Sequence, residues 1–167
     1  MIVTLAHGAS GNAASMKPHV DGLIARGLTA RAVQLPVGKA EKAVDVYRGQ
    51  VPELPDAVIG GQSYGGRVAS LLAAETTPRG LVLLSYPLHR PGHPEWEPRT
   101  DHWPNIDCPV LLLSGEADPF ACLDLLRLAI RRLSDAELVT YPRLGHGLRP
   151  VLDDALDRVA LFVNGLG

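Results

Sequence analysis

Cysteine is scarce: Cys108 and Cys122 are the only two in 167 residues. They are too few and too distant in sequence for a disulfide framework or a zinc cluster, so small buried side chains are expected at both. An excess of one charge is missing as well. Sixteen Lys and Arg face 18 Asp and Glu, the net charge is −2, and the arginines are scattered. That balance excludes a surface built for polyanions, and no nucleic-acid partner is expected. No apolar stretch approaches the length of a membrane span. Ile2–Ala6 is apolar but too short for a signal-peptide core and runs straight into His7-Gly8. Internal repeats and low-complexity tracts are absent. The expectation is one soluble, cytoplasmic domain spanning residues 1–167, not bound to membranes, with its oligomeric state left open.

What is abundant is apolar side chain, 46% of residues, enough for a substantial core. Apolar runs alternate with helical patterns from end to end, which predicts an α/β fold of about six mostly parallel strands with helices on both faces. Strands are predicted at 2–6, 30–35, 57–60, 81–85, 110–113 and 137–141. Several are unbroken Val/Leu/Ile runs, as expected for strands covered on both sides. Helices are predicted from Pro18 to Arg26, near Ala40–Arg48, behind Ser63, from Pro119 and from Pro150. The segment 86–107 breaks the rhythm. It holds five prolines, Trp96, Trp103, His89, His93 and His102. It is either a lid over a binding site or a rigid crossover whose tryptophans cover the core.

The run Val58-Ile59-Gly60-Gly61-Gln62-Ser63-Tyr64-Gly65-Gly66 ends a strand in a serine flanked by glycines, with a helical pattern behind it. This is the layout of a nucleophile elbow, G-x-S-x-G. Taken alone it is also compatible with an ordinary glycine turn in which Ser63 caps a helix. A serine hydroxyl needs a base to take its proton, and the base needs a carboxylate to orient it. Asp118 follows the strand at 110–113 and His146 follows the strand at 137–141, so both are expected at the same sheet edge as Ser63. Asp118 could instead cap a helix, and Glu116 is its nearest competitor as the acid. His89 and His93 have a spacing compatible with metal ligands, but no third ligand is evident, and neither metal nor cofactor is expected. The backbone N–H groups of Tyr64 and Ala9 are the candidate oxyanion donors. His7 is expected to anchor the loop that carries Ala9.

With these pieces in view the chain resembles the α/β-hydrolases. It is most similar to bacterial members of the branch named after a testis-expressed protein and a subunit of the non-specific-lethal chromatin complex, with dienelactone-hydrolase-like enzymes as wider relatives. The likeness is carried by Leu5-Ala6-His7-Gly8-Ala9, by 60–70, and by Tyr86-Pro87-Leu88-His89-Arg90-Pro91-Gly92-His93-Pro94. It continues in Gly115-Glu116-Ala117-Asp118-Pro119-Phe120 and Gly145-His146-Gly147-Leu148-Arg149-Pro150. The resemblance implies a small sheet with no cap domain, starting at what would be the third strand of larger members. It places Ser63, Asp118 and His146 on the triad positions. The sequence departs from these relatives at Ser10, where a second glycine is usual, and around Pro36, where aromatic residues are expected.

The leading expectation is a serine hydrolase that cleaves a small carboxylic ester or thioester through an acyl-enzyme. Its small-molecule acyl substrate would sit in an open pocket walled by Tyr86, Trp96 and Trp103. Two alternatives stand beside it: a non-catalytic binding or scaffold protein that keeps the hydrolase shell, and a peptidase or amidase working with the same three residues.

Overall fold

The unbroken apolar runs become strands because helices cover both of their faces. The computed structural model describes residues 1–95 and 99–167. The strands are β1 (Ile2–Ala6), β2 (Thr29–Val33), β3 (Val58–Gln62), β4 (Gly80–Leu84), β5 (Val110–Gly115) and β6 (Ala136–Tyr141). They form one sheet in the order β2-β1-β3-β4-β5-β6, and every neighbouring pair is parallel. The helices are α1 (Lys17–Ala25), α2 (Ala40–Gly49), α3 (Tyr64–Glu75), α4 (Leu123–Ala129) and α5 (Leu152–Gly165).

Side chains alternate across the sheet with the period of two that a strand imposes. Leu81, Leu83, Val110 and Leu112 join the core beneath α2, α3 and α4. Val82, Leu84, Leu111 and Leu113 join the core beneath α1 and α5. Two cores on opposite faces of one sheet make a three-layer domain. Among the described residues no helix is long and apolar enough to cross a membrane.

The strand order sets the place of the site. The chain leaves β1 toward β2 on one side and returns to β3 on the other, so the connections diverge between β1 and β3. Divergence opens a crevice at the carboxyl ends of those two strands, where open α/β sheets bind their ligands. Ser63 follows β3 and the turn Gly8-Ala9 follows β1.

Two helix starts differ from expectation. Pro119 does not open α4, which begins at Leu123. The Asp118 carboxylate accepts the Phe120 N–H at 2.8 Å, the Asp118 carbonyl accepts the Ala121 N–H at 3.1 Å, and Cys122 has a non-helical backbone, so a tight turn precedes the helix. Pro150 lies in a 3₁₀ turn (Arg149–Val151) that leads into α5.

At both ends of the segment 86–107 the chain packs against the core. Tyr86, Leu88 and Trp103 are fully buried, and the Tyr86 and Trp103 rings meet edge to face at 5.0 Å between centroids. The Tyr86 hydroxyl donates to the Arg99 carbonyl at 2.5 Å.

Tyr47 of α2 locks the central strands together from below. Its buried hydroxyl lies 2.8 Å from the Thr4 carbonyl and 2.7 Å from the Gly60 carbonyl, and accepts the Gly60 N–H at 3.1 Å. Burial pushes this phenol well above its ordinary pKa, so it stays a neutral donor. Tyr47→Phe strips these backbone groups of their partner in the interior. We expect it to destabilise the fold by about 1–3 kcal/mol, read as a lower urea midpoint at unchanged m-value.

Candidate active site

Ser63 stands where β3 turns into α3, and its backbone has φ +49° and ψ −115°. That region is sparsely populated by residues with a side chain and costs on the order of 1–3 kcal/mol. The surroundings hold it there. The Ser63 N–H donates to the Leu84 carbonyl at 2.8 Å, and the Ser63 carbonyl accepts from Arg67 as the helix begins. The flanking glycines are required by space: a Cβ on Gly61 would lie 2.6 Å from the Ala6 carbonyl oxygen, and one on Gly65 would lie 2.5 Å from those of Ala6 and His7. The first turn of α3 is thereby pressed against the end of β1.

Three side chains far apart in sequence meet at this edge. His146 Nε2 is 2.9 Å from Ser63 Oγ, and His146 Nδ1 is 2.8 Å from Asp118 Oδ2. The Asp118 side chain has no exposed surface, whereas that of His146 is 24% exposed. The network is satisfied when Nδ1–H donates to the carboxylate and Nε2 accepts the serine proton. Phe120 stacks on the His146 ring at 4.3 Å between centroids. The acid and histidine loops are joined by the Ala117 N–H, which donates to the Leu144 carbonyl at 2.9 Å. Glu116, the competing carboxylate, accepts from the Thr140 hydroxyl at 2.9 Å. It is Asp118 that reaches His146.

The Ala9 turn is closed by the Gly11 N–H donating to Gly8 O at 3.1 Å. His7 staples it down: Nδ1–H donates to the Gly8 carbonyl at 2.7 Å, and Nε2 accepts the Leu35 N–H at 2.9 Å. Because the backbone of Ala6 and His7 touches Gly65, this turn lies beside the first turn of α3, whose opening N–H groups, Tyr64 among them, have no acceptor within the helix. The Tyr64 side chain points elsewhere and donates to the Pro36 carbonyl at 2.6 Å.

The expected pocket wall is corrected. Tyr86 and Trp103 have no exposed surface and belong to the core on the α3 side, because the crossover folds these two rings inward. Burial pushes the Tyr86 phenol up to about 12. Trp96, the third member of that wall, lies outside the described residues. A cavity of about 390 Å³ opens instead on the opposite flank, lined by Gly8, Met16, His19, Gln62, Gly147, Arg149 and Leu152 among others. Gln62, Gly147 and Gly8 are the chain neighbours of Ser63, His146 and Ala9, so the cavity lies beside the turns that carry them. Sequence reasoning missed Met16, His19 and Leu152, because they converge only when α1 packs on α5. Arg149, by contrast, sits three residues after His146 and could have been found there.

A second serine–histidine contact is of another kind. Ser70 of α3 is fully buried; it donates to the Arg67 carbonyl and meets His102 Nε2, each at 2.7 Å. With its proton committed to a carbonyl and no access to solvent, Ser70 anchors the crossover. Among the described residues no cluster of three His, Cys, Asp or Glu is placed to hold a metal ion. Both ring nitrogens of His89 are engaged with backbone.

Residues 30–158 match the α/β-hydrolase domain family, and the chain belongs to it. Solved structures agree with the fold. A monoacylglycerol lipase from Paleococcus ferrophilus superposes with a TM-score of 0.83 at 15% identity, covering 99% of this chain and 95% of that one. Est1E from Butyrivibrio proteoclasticus, in a structure with ferulic acid bound, gives 0.80 at 18% identity, covering 99% and 88%.

Two outcomes are expected. Ser63→Gly removes the backbone strain, which outweighs the extra unfolded-state freedom of glycine, about 0.5–1 kcal/mol. Chemical denaturation should show a gain on the order of 1 kcal/mol. Burial pushes His102 down to about 4 from its ordinary 6.5. Between these values the unfolded chain binds a proton that the folded chain refuses, so stability falls as pH drops through that window. The denaturation midpoint of His102→Gln should fall less steeply over the same range.

Proposed function

We propose that this protein is a serine hydrolase that cleaves a small carboxylic ester or thioester through an acyl-enzyme, with Ser63, His146 and Asp118 as its triad. The observation that carries the reading is the continuous relay from Asp118 through His146 to Ser63, with contacts of 2.8 and 2.9 Å, on a strained elbow. Membership of the α/β-hydrolase family supports hydrolysis as the reaction class. The structural neighbours, a monoacylglycerol lipase and Est1E with ferulic acid bound, are compatible with it. Within the family we favour the testis-expressed and non-specific-lethal-subunit branch, on the motifs around His89 and Asp118.

In this reading Ser63 Oγ attacks the carbonyl carbon while His146 Nε2 takes the hydroxyl proton. Asp118 stabilises the resulting imidazolium and is not itself protonated. The N–H groups of Tyr64 and Ala9 receive the oxyanion, aided by the positive end of α3. The intermediate collapses as Nε2 returns its proton to the departing alkoxide or thiolate, leaving an acyl group on Ser63. Water, deprotonated by His146, then releases the acid and restores the serine. The cavity beside Gln62 and Gly147 takes the substrate. At about 390 Å³ it lies at the small end of ligand sites, and its lining mixes Met16 and Leu152 with Ser10, His19 and Arg149. A short acyl chain fits that volume better than a long one.

The test is hydrolysis of p-nitrophenyl esters of rising chain length, beside anilide substrates, with fluorophosphonate labelling in parallel. Short esters should be cleaved fastest. Ser63→Ala and His146→Ala should each lose roughly three or more orders of magnitude, Asp118→Asn somewhat less. Labelling should vanish in Ser63→Ala. A folded protein that neither reacts with the probe nor cleaves any ester is a binding module, and anilide cleavage alone makes it an amidase.

A further inference from the structure

The hydrogen bonds around His89 reach a part of the site that the mechanism does not use. His89 is 2% exposed and lies on the crossover, between Leu88, which is fully buried, and Arg90. Its Nδ1–H donates to the Arg90 carbonyl at 2.6 Å, which leaves Nε2 as the acceptor. Nε2 accepts the Cys122 N–H at 2.9 Å. Cys122 immediately precedes α4, where backbone donors have no helical partner, so the ring satisfies a group that α4 leaves open. The main chain adds two contacts to the same loop: the His89 N–H donates to the Phe120 carbonyl and the Gly92 N–H to the Pro119 carbonyl, both at 3.0 Å.

These bonds grip residues 119, 120 and 122, the stretch directly behind Asp118. Phe120 is the link to the site. Its N–H donates to Asp118 Oδ1 at 2.8 Å, and its ring stacks on His146 at 4.3 Å. One residue therefore touches both the acid and the imidazole, and its backbone is clamped by the crossover. If the 118–122 turn relaxes, the carboxylate and the stacking ring shift together.

We propose that His89 is a positioning residue for the Asp118–His146 pair, fixing the acid loop through its acceptor contact with Cys122. This rests on the triad reading above, but its geometry can be tested without turnover. Displacements of about 1 Å in a site cost on the order of 100-fold in rate.

Two polar replacements separate the contacts. The side-chain carbonyl of glutamine reaches as far as Nε2, and the amide of asparagine only as far as Nδ1. His89→Gln can keep the Cys122 contact, whereas His89→Asn keeps only the Arg90 contact. We expect His89→Asn to lose about 10- to 100-fold in kcat at little-changed KM, well below its melting temperature, with His89→Gln restoring most of the rate. The independent readout is the low-field proton resonance of the His146 Nδ1–H in its bond to Asp118. It should persist in the wild type and His89→Gln, and broaden or vanish in His89→Asn. Equal kcat and equal resonance in both variants overturn the proposal, as does a loss that merely tracks melting temperature. Absence of ester cleavage and probe labelling in the wild type sinks the hydrolase reading instead, while the resonance still decides the role of His89.

Discussion

The close approach of the first turn of α3 to the end of β1 is the constraint on which the site depends. At Gly65 a methyl group would have to share space with two carbonyl oxygens, those of Ala6 and His7. This tight fit puts the Ser63 hydroxyl at the sheet edge and brings the Ala9 turn next to the opening N–H groups of α3. The same fit forces Ser63 into positive φ. The strain is local, and it is held by contacts that are not: the bond to Leu84 in β4, the buried face of α3, and Tyr47 bridging Thr4 and Gly60 underneath. A serine at the same sequence position in a looser turn would cap the helix and do nothing else.

Four histidines show how identical side chains acquire different tasks from their partners. His7 and His89 each donate from Nδ1 to a neighbouring carbonyl and accept a distant backbone N–H on Nε2, so both nitrogens are spent on the frame. His102, itself half-buried, meets the fully buried Ser70, and its charge is opposed first by burial and then by Arg67. His146 alone among these has a carboxylate on Nδ1, a hydroxyl on Nε2 and partial exposure of its ring. A buried carboxylate on one ring nitrogen and a hydroxyl on the other is the arrangement that the proposed relay requires. The contrast between Ser63–His146 and Ser70–His102 is therefore one of the third partner and of solvent access, not of distance.

Much of the architecture was legible because its causes are local. Strands such as 81–85 and 110–113 announce burial on both faces by unbroken apolar runs, and the family match and sheet order agree with them. Ser63, Asp118 and His146 could be nominated since each lies just beyond a strand, and parallel strands deliver their carboxyl ends to one edge. What escaped depended on contacts between distant segments. The start of α4 slipped to Leu123 because the turn at Asp118 and the ring of His89, far back in the chain, claim the preceding N–H groups. Prolines erased the periodicity of the crossover, so nothing local showed that Tyr86 and Trp103 turn inward. The cavity escaped for a similar reason. Part of its wall comes from α1 and α5, packed so closely that a Cβ on Gly22 would sit 2.3 Å from Leu156.

With Tyr86 and Trp103 turned into the core, the crossover works as a brace. It is tied to α3 through Ser70, to the acid loop through His89, and to the main core through Trp103. A brace leaves the mouth of the site to the shorter turns around Ser10, Gln62 and Gly147, and these are what border the cavity. Under the proposed reading, an acyl substrate would meet that lining, in which Met16 and Leu152 stand beside Ser10, His19 and Arg149. The sheet edge thus holds Ser63, His146 and Asp118 through loops tied to one another and to the crossover, and leaves the cavity beside them bordered by short turns.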